Sequence, residues 1–315
     1  MSDHNLQQKT VAQFEQDLIT SGMQPIALRS AEIGQGTKIK RALPSRLKRM
    51  IGAWCFLDHA GPAHFPAGEG LDVGPHPHIG LQTFTWMIKG SMMHRDSLGY
   101  AQLIQPKQVN LMTAGQGISH TEVAPATETE MHSVQLWIAL PDDKKDMPPQ
   151  FDHYPDLPVV QQDQVEYTVL VGEFLDAKSP VQVHSELVGV DLVAQAATQA
   201  TLPLNPSFEY ALLVLEGEVS AGEHHLSNEH MLVLNTGMQQ LNLKMSADAH
   251  AVLIGGVPFE SPVLLWWNFV GRTQEEMEQA REQWVNHDAR FGVVADYEGE
   301  RLIAPPLPDR MRASK

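Results

Sequence analysis

GPHPHIGLQTFTWMIKG, residues 74–90, opens with two histidines on either side of one proline and continues as an apolar, β-branched and aromatic run closed by a glycine. The run has strand composition. In a strand, residues i and i+2 point to the same face. His76 and His78 therefore present two imidazoles on one side, where both can reach a single ion. Taken alone, the pair also fits two surface histidines near a turn, so the rest of the chain has to decide.

A second pair with the same spacing lies downstream. AGQGISHTEV, residues 114–123, carries His120 and Glu122. Three imidazoles and one carboxylate form a donor set suited to a divalent transition metal, and two same-face pairs on neighbouring strands can converge on one ion. Gly115 and Gly117 allow a tight turn just before the second pair. Pro77 restricts the backbone between the first two histidines.

Around these pairs, short apolar runs alternate with Gly, Pro and Asp turns, the pattern of an all-β sandwich or barrel. Residues 1–25 are expected as an N-terminal extension, with Thr10 and Gln13 at capping-box spacing and Val11, Phe14 and Leu18 at helical intervals. A first β domain is expected over 26–140, a Pro- and Asp-rich linker over 141–158 and a second β domain over 159–257. The last segment, 258–315, holds a helix at about 274–287, started by Thr273 and Glu276 and faced by Met277, Ala280 and Trp284.

The two β domains read as copies of one unit. TFTWMIKGSM (83–92) resembles EYALLVLEGEV (209–219), and NLMTAG (110–115) resembles LVLNTG (232–237), in the same order. Aligning Gly90 with Gly217 and Gly115 with Gly237 places Pro203, Asn205, Asn242 and Lys244 where the first copy has His76, His78, His120 and Glu122. None of the four rebuilds the donor set. The chemistry is therefore expected in the first copy alone, with Lys244 opposing a cation in the second.

Gly70-x₅-His76-x-His78 and GQGISHTE resemble the two cupin motifs. FLDHAGP (56–62), GPHPHIGLQTFTW, HRDSLG (94–99), MTAGQGISHTE and GGVPFESPVLLWWNFV together resemble the pirin family over residues 26–292. The resemblance implies a bicupin, two antiparallel jelly-roll β-barrels packed together, with iron held in the N-terminal barrel by His76, His78, His120 and Glu122. It implies one divalent metal per chain, Fe(2+) first, with other divalent metals possible. It also implies a quercetin 2,3-dioxygenase-like reaction, in which O2 cleaves a flavonol ring and carbon monoxide is released. Glu122 would be the base that takes the flavonol proton. The alternative implied by the family is a redox-responsive regulatory cofactor that binds a protein partner without catalysis. Ile79 and Gln82 depart from the Arg and Glu common in the family beside the first pair.

A net charge of −16 argues against general binding of nucleic acid, which needs a basic surface. No apolar run long enough for a membrane span is present and the first residues lack a signal-peptide core, so a cytoplasmic protein is expected. The single cysteine, Cys55, sits in an apolar run and reads as a small buried hydrophobe. His94, Arg95 and Asp96 of HRDSLG read first as a polar hairpin turn, and second as neighbours of the metal or pocket. His59 reads as structural, and the adjacent His224 and His225 as a hairpin tip whose rings face opposite ways. The basic run 38–49 reads as a solvated strand and turn. Neither GxGxxG nor GxSxG occurs, which removes nucleotide and serine-hydrolase readings.

Overall fold

The run after HPH is a strand, Leu81–Lys89, buried from Leu81 to Met87 on both faces and paired with a strand along each edge. A computed structural model of the chain describes residues 9–34, 36–311 and 313; residues 1–8 of the expected N-terminal extension lie outside them. Leu81–Lys89 is the third strand of a seven-stranded sheet and pairs antiparallel with both neighbours. Its spatial order is Gln150–Tyr154, Val109–Thr113, Leu81–Lys89, Glu130–Ala139, Trp54–His64, Thr37–Leu43 and Arg29–Ile33. A four-stranded sheet of Asp72–His78, Ile118–Val123, Met92–Asp96 and Ala101–Ile104 completes the first barrel.

The second barrel repeats this plan. Its large sheet runs Met23–Ala27, His230–Leu234, Glu209–Glu216, His250–Gly256, Leu187–Ala194, Val165–Val171 and Val159–Gln162. Its small sheet runs Thr198–Pro203, Gln240–Met245, Val219–Ala221 and His224–Leu226. Strand for strand the two orders are the same, as the internal repeat leads one to expect, and the fold is the two-cupin architecture implied by the family resemblance.

The division of the chain differs from the contiguous blocks expected from sequence. One compact unit comprises 1–30, 40–54 and 156–259; the other comprises 31–39, 55–155 and 260–315. Two edge strands explain much of this. Met23–Ala27 pairs with His230–Leu234, so the N-terminal segment finishes the second barrel's sheet. Gln150–Tyr154, inside the expected 141–158 linker, pairs with Val109–Thr113 and finishes the first. A covered edge leaves fewer unpaired backbone groups, which favours recruiting a strand from outside the repeat.

Among the described residues, two α-helices flank the barrels. Helix α1, Val11–Ser21, carries the full Thr10–Gln13 capping box and buries Phe14 and Leu18, whereas Val11 is exposed. Helix α2, Gln274–Val285, is capped by Thr273 and buries Met277, Ala280 and Trp284 against Ile79, Phe269 and Phe291. That apolar contact holds the C-terminal segment in the first barrel's unit. No helix among the described residues is long and apolar enough to cross a membrane.

Candidate metal centre

Asp72–His78 and Ile118–Val123 are neighbouring antiparallel strands, with His120 opposite His76 and Ile118 opposite His78. This register brings the three imidazoles together. Each offers a nitrogen, and these nitrogens all lie within 4.8 Å of one another. Gly115, at φ +51°, lets the chain enter the second strand; a Cβ there would stand 1.9 Å from the Met147 carbonyl oxygen. Glu122 follows a register shift in the same ladder, opposite Val73, and its carboxylate is not part of the 4.8 Å group. A bulge of this kind re-aims the side chains that follow it.

Hydrogen bonds fix which nitrogen each ring presents. His76 Nδ1 donates to the Gly74 carbonyl at 2.9 Å and His78 Nδ1 to the Asn268 carbonyl at 3.0 Å. His120 Nδ1 lies 3.2 Å from His94 Nδ1, and His94 Nε2 lies 3.0 Å from Asp96 Oδ2. A carboxylate accepts only, so a neutral His94 carries its proton on Nε2 and offers Nδ1 as an acceptor to His120. All three Nδ1 atoms are then donors, and all three Nε2 atoms carry lone pairs. The Nε2 atoms of His78 and His120 are 3.1 Å apart. Two facing lone pairs repel at that distance unless a cation lies between them. Two nitrogens each about 2.1 Å from one ion and at right angles would be about 3.0 Å apart. The donor set therefore fits a divalent transition metal.

Burial keeps the rings in the ligating form. Desolvation lowers the His76 imidazole to about 4 and holds those of His78 and His120 well below the ordinary histidine value. Neutral imidazoles are the form that binds metal. Glu122 is only partly accessible, and desolvation pushes its carboxyl up to about 7.

The second barrel corrects the expected correspondence by one residue. Taking Gly90 on Gly217, His94 matches Ala221. Because Glu122 pairs with His94 and Leu243 with Ala221, Glu122 matches Leu243. His120 pairs with His76 and Leu241 with Leu202. The Leu204 amide bonds the Gln239 carbonyl, so His78 matches Leu204. The counterparts of the four candidate ligands are thus Leu202, Leu204, Leu241 and Leu243, all in one apolar core. Pro203, Asn242 and Lys244 alternate with them, and all three are exposed, as is Asn205. The turn after Gly237 is one residue shorter than the turn after Gly115, and a one-residue slip moves every following side chain to the other face.

Other sequence expectations resolve as follows. Asp96 Oδ1 accepts the Leu98 and Tyr100 amides in the turn that joins Met92–Asp96 to Ala101–Ile104, as the hairpin reading expects, while buried His94 also lies beside His120. His59 lies 2.8 Å from His132, Nε2 to Nε2, and is not among the grouped histidines. His224 is buried and His225 exposed, opposite faces of a strand. Lys48 pairs with Glu209 and Lys40 with Glu229, so the basic run is partly neutralised by local acids. Ile79 packs against α2, and Gln82 donates to Thr113. The Gly74 and Asn268 carbonyls escaped sequence reading because a backbone acceptor has no residue signature. A cavity of about 670 Å³ elsewhere, lined by Phe174, Leu204, Phe208 and Tyr210, contains none of the candidate ligands.

Comparison with known proteins agrees with this architecture. The Pirin family's sequence model matches residues 36–138, and that of the Pirin C-terminal cupin domain matches 189–292. The chain belongs to the pirin family. A Pseudomonas aeruginosa protein provisionally named a quercetin 2,3-dioxygenase is 50% identical over 291 residues, covering 92% of each chain. The crystal structure of a quercetin 2,3-dioxygenase from Acinetobacter baumannii is 65% identical, with a TM-score of 0.93 over 94% of this chain and 99% of that one. A bacterial pirin from Escherichia coli, solved in complex with nickel(II), shares the fold at 19% identity and a TM-score of 0.58, over 75% of this chain and 99% of that one.

Proposed function

We propose that this pirin-family chain is a metal-dependent dioxygenase that opens the heterocycle of a small aromatic, flavonol-type substrate. His76, His78, His120 and Glu122 would hold one divalent ion, with Fe(2+) the first candidate. The observation that carries the reading is the convergence of three buried imidazoles with ring nitrogens within 4.8 Å of one another, two of them donating Nδ1–H to backbone carbonyls. A divalent ion held there supplies Lewis acidity and a route for electrons to dioxygen. The names of the 50% and 65% identical relatives point to quercetin as the substrate class.

The chain's own residues supply the rest. Glu122, two residues beyond His120 on the same strand and with its carboxyl at about 7, can hold or release a proton at neutral pH and would take the one on a flavonol hydroxyl. Across the barrel, Asn110, Thr85 and Gln135 lie side by side in the large sheet, and Thr85 donates to Gln135 at 2.8 Å. Both Gln135 and Glu122 keep some contact with solvent. Side chains of this kind can orient a polyhydroxylated ring.

Anaerobic titration with quercetin followed by admission of O2, with carbon monoxide measured, tests the reading. Carbon monoxide in step with quercetin loss is expected. Glu122→Gln keeps the side chain's shape but loses its charge and basicity, so it should lose more activity than metal. No turnover by protein carrying one ion per chain, with Fe, Mn, Co or Ni, would overturn the assignment.

A further inference from the structure

We propose that Asp96 and His94 are positioning residues that lock His120 in the Nδ1–H tautomer, so that its Nε2 lone pair faces the metal. The inference rests on the metal centre proposed above and concerns how its third ligand is oriented. His76 and His78 donate to backbone carbonyls, which can only accept. His120 has no such guarantee, because its Nδ1 meets another imidazole nitrogen, His94 Nδ1, at 3.2 Å. Either nitrogen of that pair can carry the proton. The decision is made one bond further out, where His94 Nε2 lies 3.0 Å from Asp96 Oδ2.

Asp96 itself is held in one orientation. Its Oδ1 accepts the backbone amides of Leu98 at 2.9 Å and Tyr100 at 3.1 Å, within the SLG turn that follows it. His94 is stacked on Phe151, with ring centroids 4.3 Å apart and 13° between planes. His94, Asp96 and His120 are all buried, so water does not offer an easy alternative partner. The chain of donors therefore runs one way: His120 Nδ1–H to His94 Nδ1, and His94 Nε2–H to Asp96. The second barrel, which has Leu241 in place of His120, has Ala221 in place of His94. Outer partners of metal-bound histidines set tautomer and basicity in this way.

The direction of the lock makes a specific prediction for Asp96→Asn. The amide oxygen must still serve Leu98 and Tyr100, so the amide nitrogen faces His94 and donates. His94 is then forced to carry its proton on Nδ1, and His120 on Nε2, with that N–H aimed at the metal site. Asp96→Asn should therefore be worse than removing His94. Metal dissociation constants, measured with Co(2+) against a competing chelator, should weaken about 100-fold for Asp96→Asn and about tenfold for His94→Leu. The double variant should return to the His94→Leu value, because without His94 the inverted proton has no route to His120. A purely structural pair would instead give losses that add.

The tautomer can be read without metal, and in the wild type without any variant. Histidine ¹⁵N shifts of the metal-free wild type should show His120 protonated at Nδ1 and bare at Nε2, and Asp96→Asn should reverse them. A His120 protonated at Nε2 in the wild type overturns the proposal, as does a double variant weaker than Asp96→Asn. The predicted tautomer in a metal-loaded protein that cleaves no flavonol supports the lock and defeats only the dioxygenase reading.

Discussion

Asn110, Thr85 and Gln135 form a row across the large sheet of the first barrel; Leu232, Leu212 and Leu253 form the same row in the second. On the facing small sheet, His76, His78, His120 and Glu122 stand where the second barrel has Leu202, Leu204, Leu241 and Leu243. The strand orders match, so backbone topology does not separate the two barrels. The inward side chains do. A barrel filled with leucine is stabilised by burying apolar surface. A barrel lined by imidazoles, a carboxylate and amides carries groups that are costly to bury unless each finds a partner. The first barrel supplies those partners through backbone carbonyls, His94, neighbouring side chains and, on the reading argued here, an ion. The lesson is that one half of the repeat keeps the fold's apolar core while the other exchanges it for a site.

That contrast can be broken most directly by making the first barrel resemble the second. The triple replacement of His76, His78 and His120 by leucine should abolish metal binding altogether, checked by elemental analysis. The variant should still fold, because the second barrel shows that leucine fits these positions. Failure to fold with loss of all β signal in circular dichroism would mean the two interiors are not interchangeable.

The reverse change is the next largest. Leu241→His places an imidazole in a closed apolar core without the His94 counterpart. It should cost roughly 2–5 kcal/mol in urea unfolding. It should recruit no ion, since Leu202 and Leu204 remain. Metal uptake by this single variant would show that the second barrel is closer to a site than its leucines suggest.

Acid sensitivity should belong to the first barrel's histidines. His76 has a folded value of about 4 against an ordinary 6.5, so the unfolded chain binds its proton more readily. Above about pH 6.5 this group adds no penalty. Between 6.5 and 4 the metal-free protein loses stability as pH falls, and below about 4 the full penalty is present. The contribution is on the order of 1–3 kcal/mol, and the triple leucine variant should lose that part of the slope. Urea titrations of both proteins at pH 7, 5.5 and 4.5 measure it.

The smallest expected effect is an absence of reaction. Cys55 is fully buried, and desolvation pushes its thiol up to about 12. Iodoacetamide at pH 8 should leave the native protein unlabelled and label it once unfolded. Rapid labelling of the native form would show that this strand opens easily.

Much of this was legible in the sequence, for physical reasons. HPH and HTE sit on strands, where period two makes i and i+2 share a face, and the repeat in strand pattern announced two copies of one barrel. The capping residues Thr10 and Thr273 placed both helix starts. What the sequence concealed follows from register and backbone. One residue fewer after Gly237 turned the expected Asn242 and Lys244 outward and Leu241 and Leu243 inward, and no pattern of single residues shows which strand face a turn selects. The Gln150–Tyr154 edge strand was hidden in a Pro- and Asp-rich stretch, because its pairing depends on an unfilled edge elsewhere. His94 was read from sequence as a turn residue or a neighbour of the metal, and its contact with His120 became visible only when the ladder set the two side by side.

The central claim is that one barrel binds and the other does not. It is tested most directly by metal content per chain in untagged protein saturated with Fe(2+) or Co(2+) and freed of loose ions. Wild type should hold one ion, His120→Leu none, and Leu241→His one. Two ions in the wild type, or one retained in His120→Leu, would contradict the account.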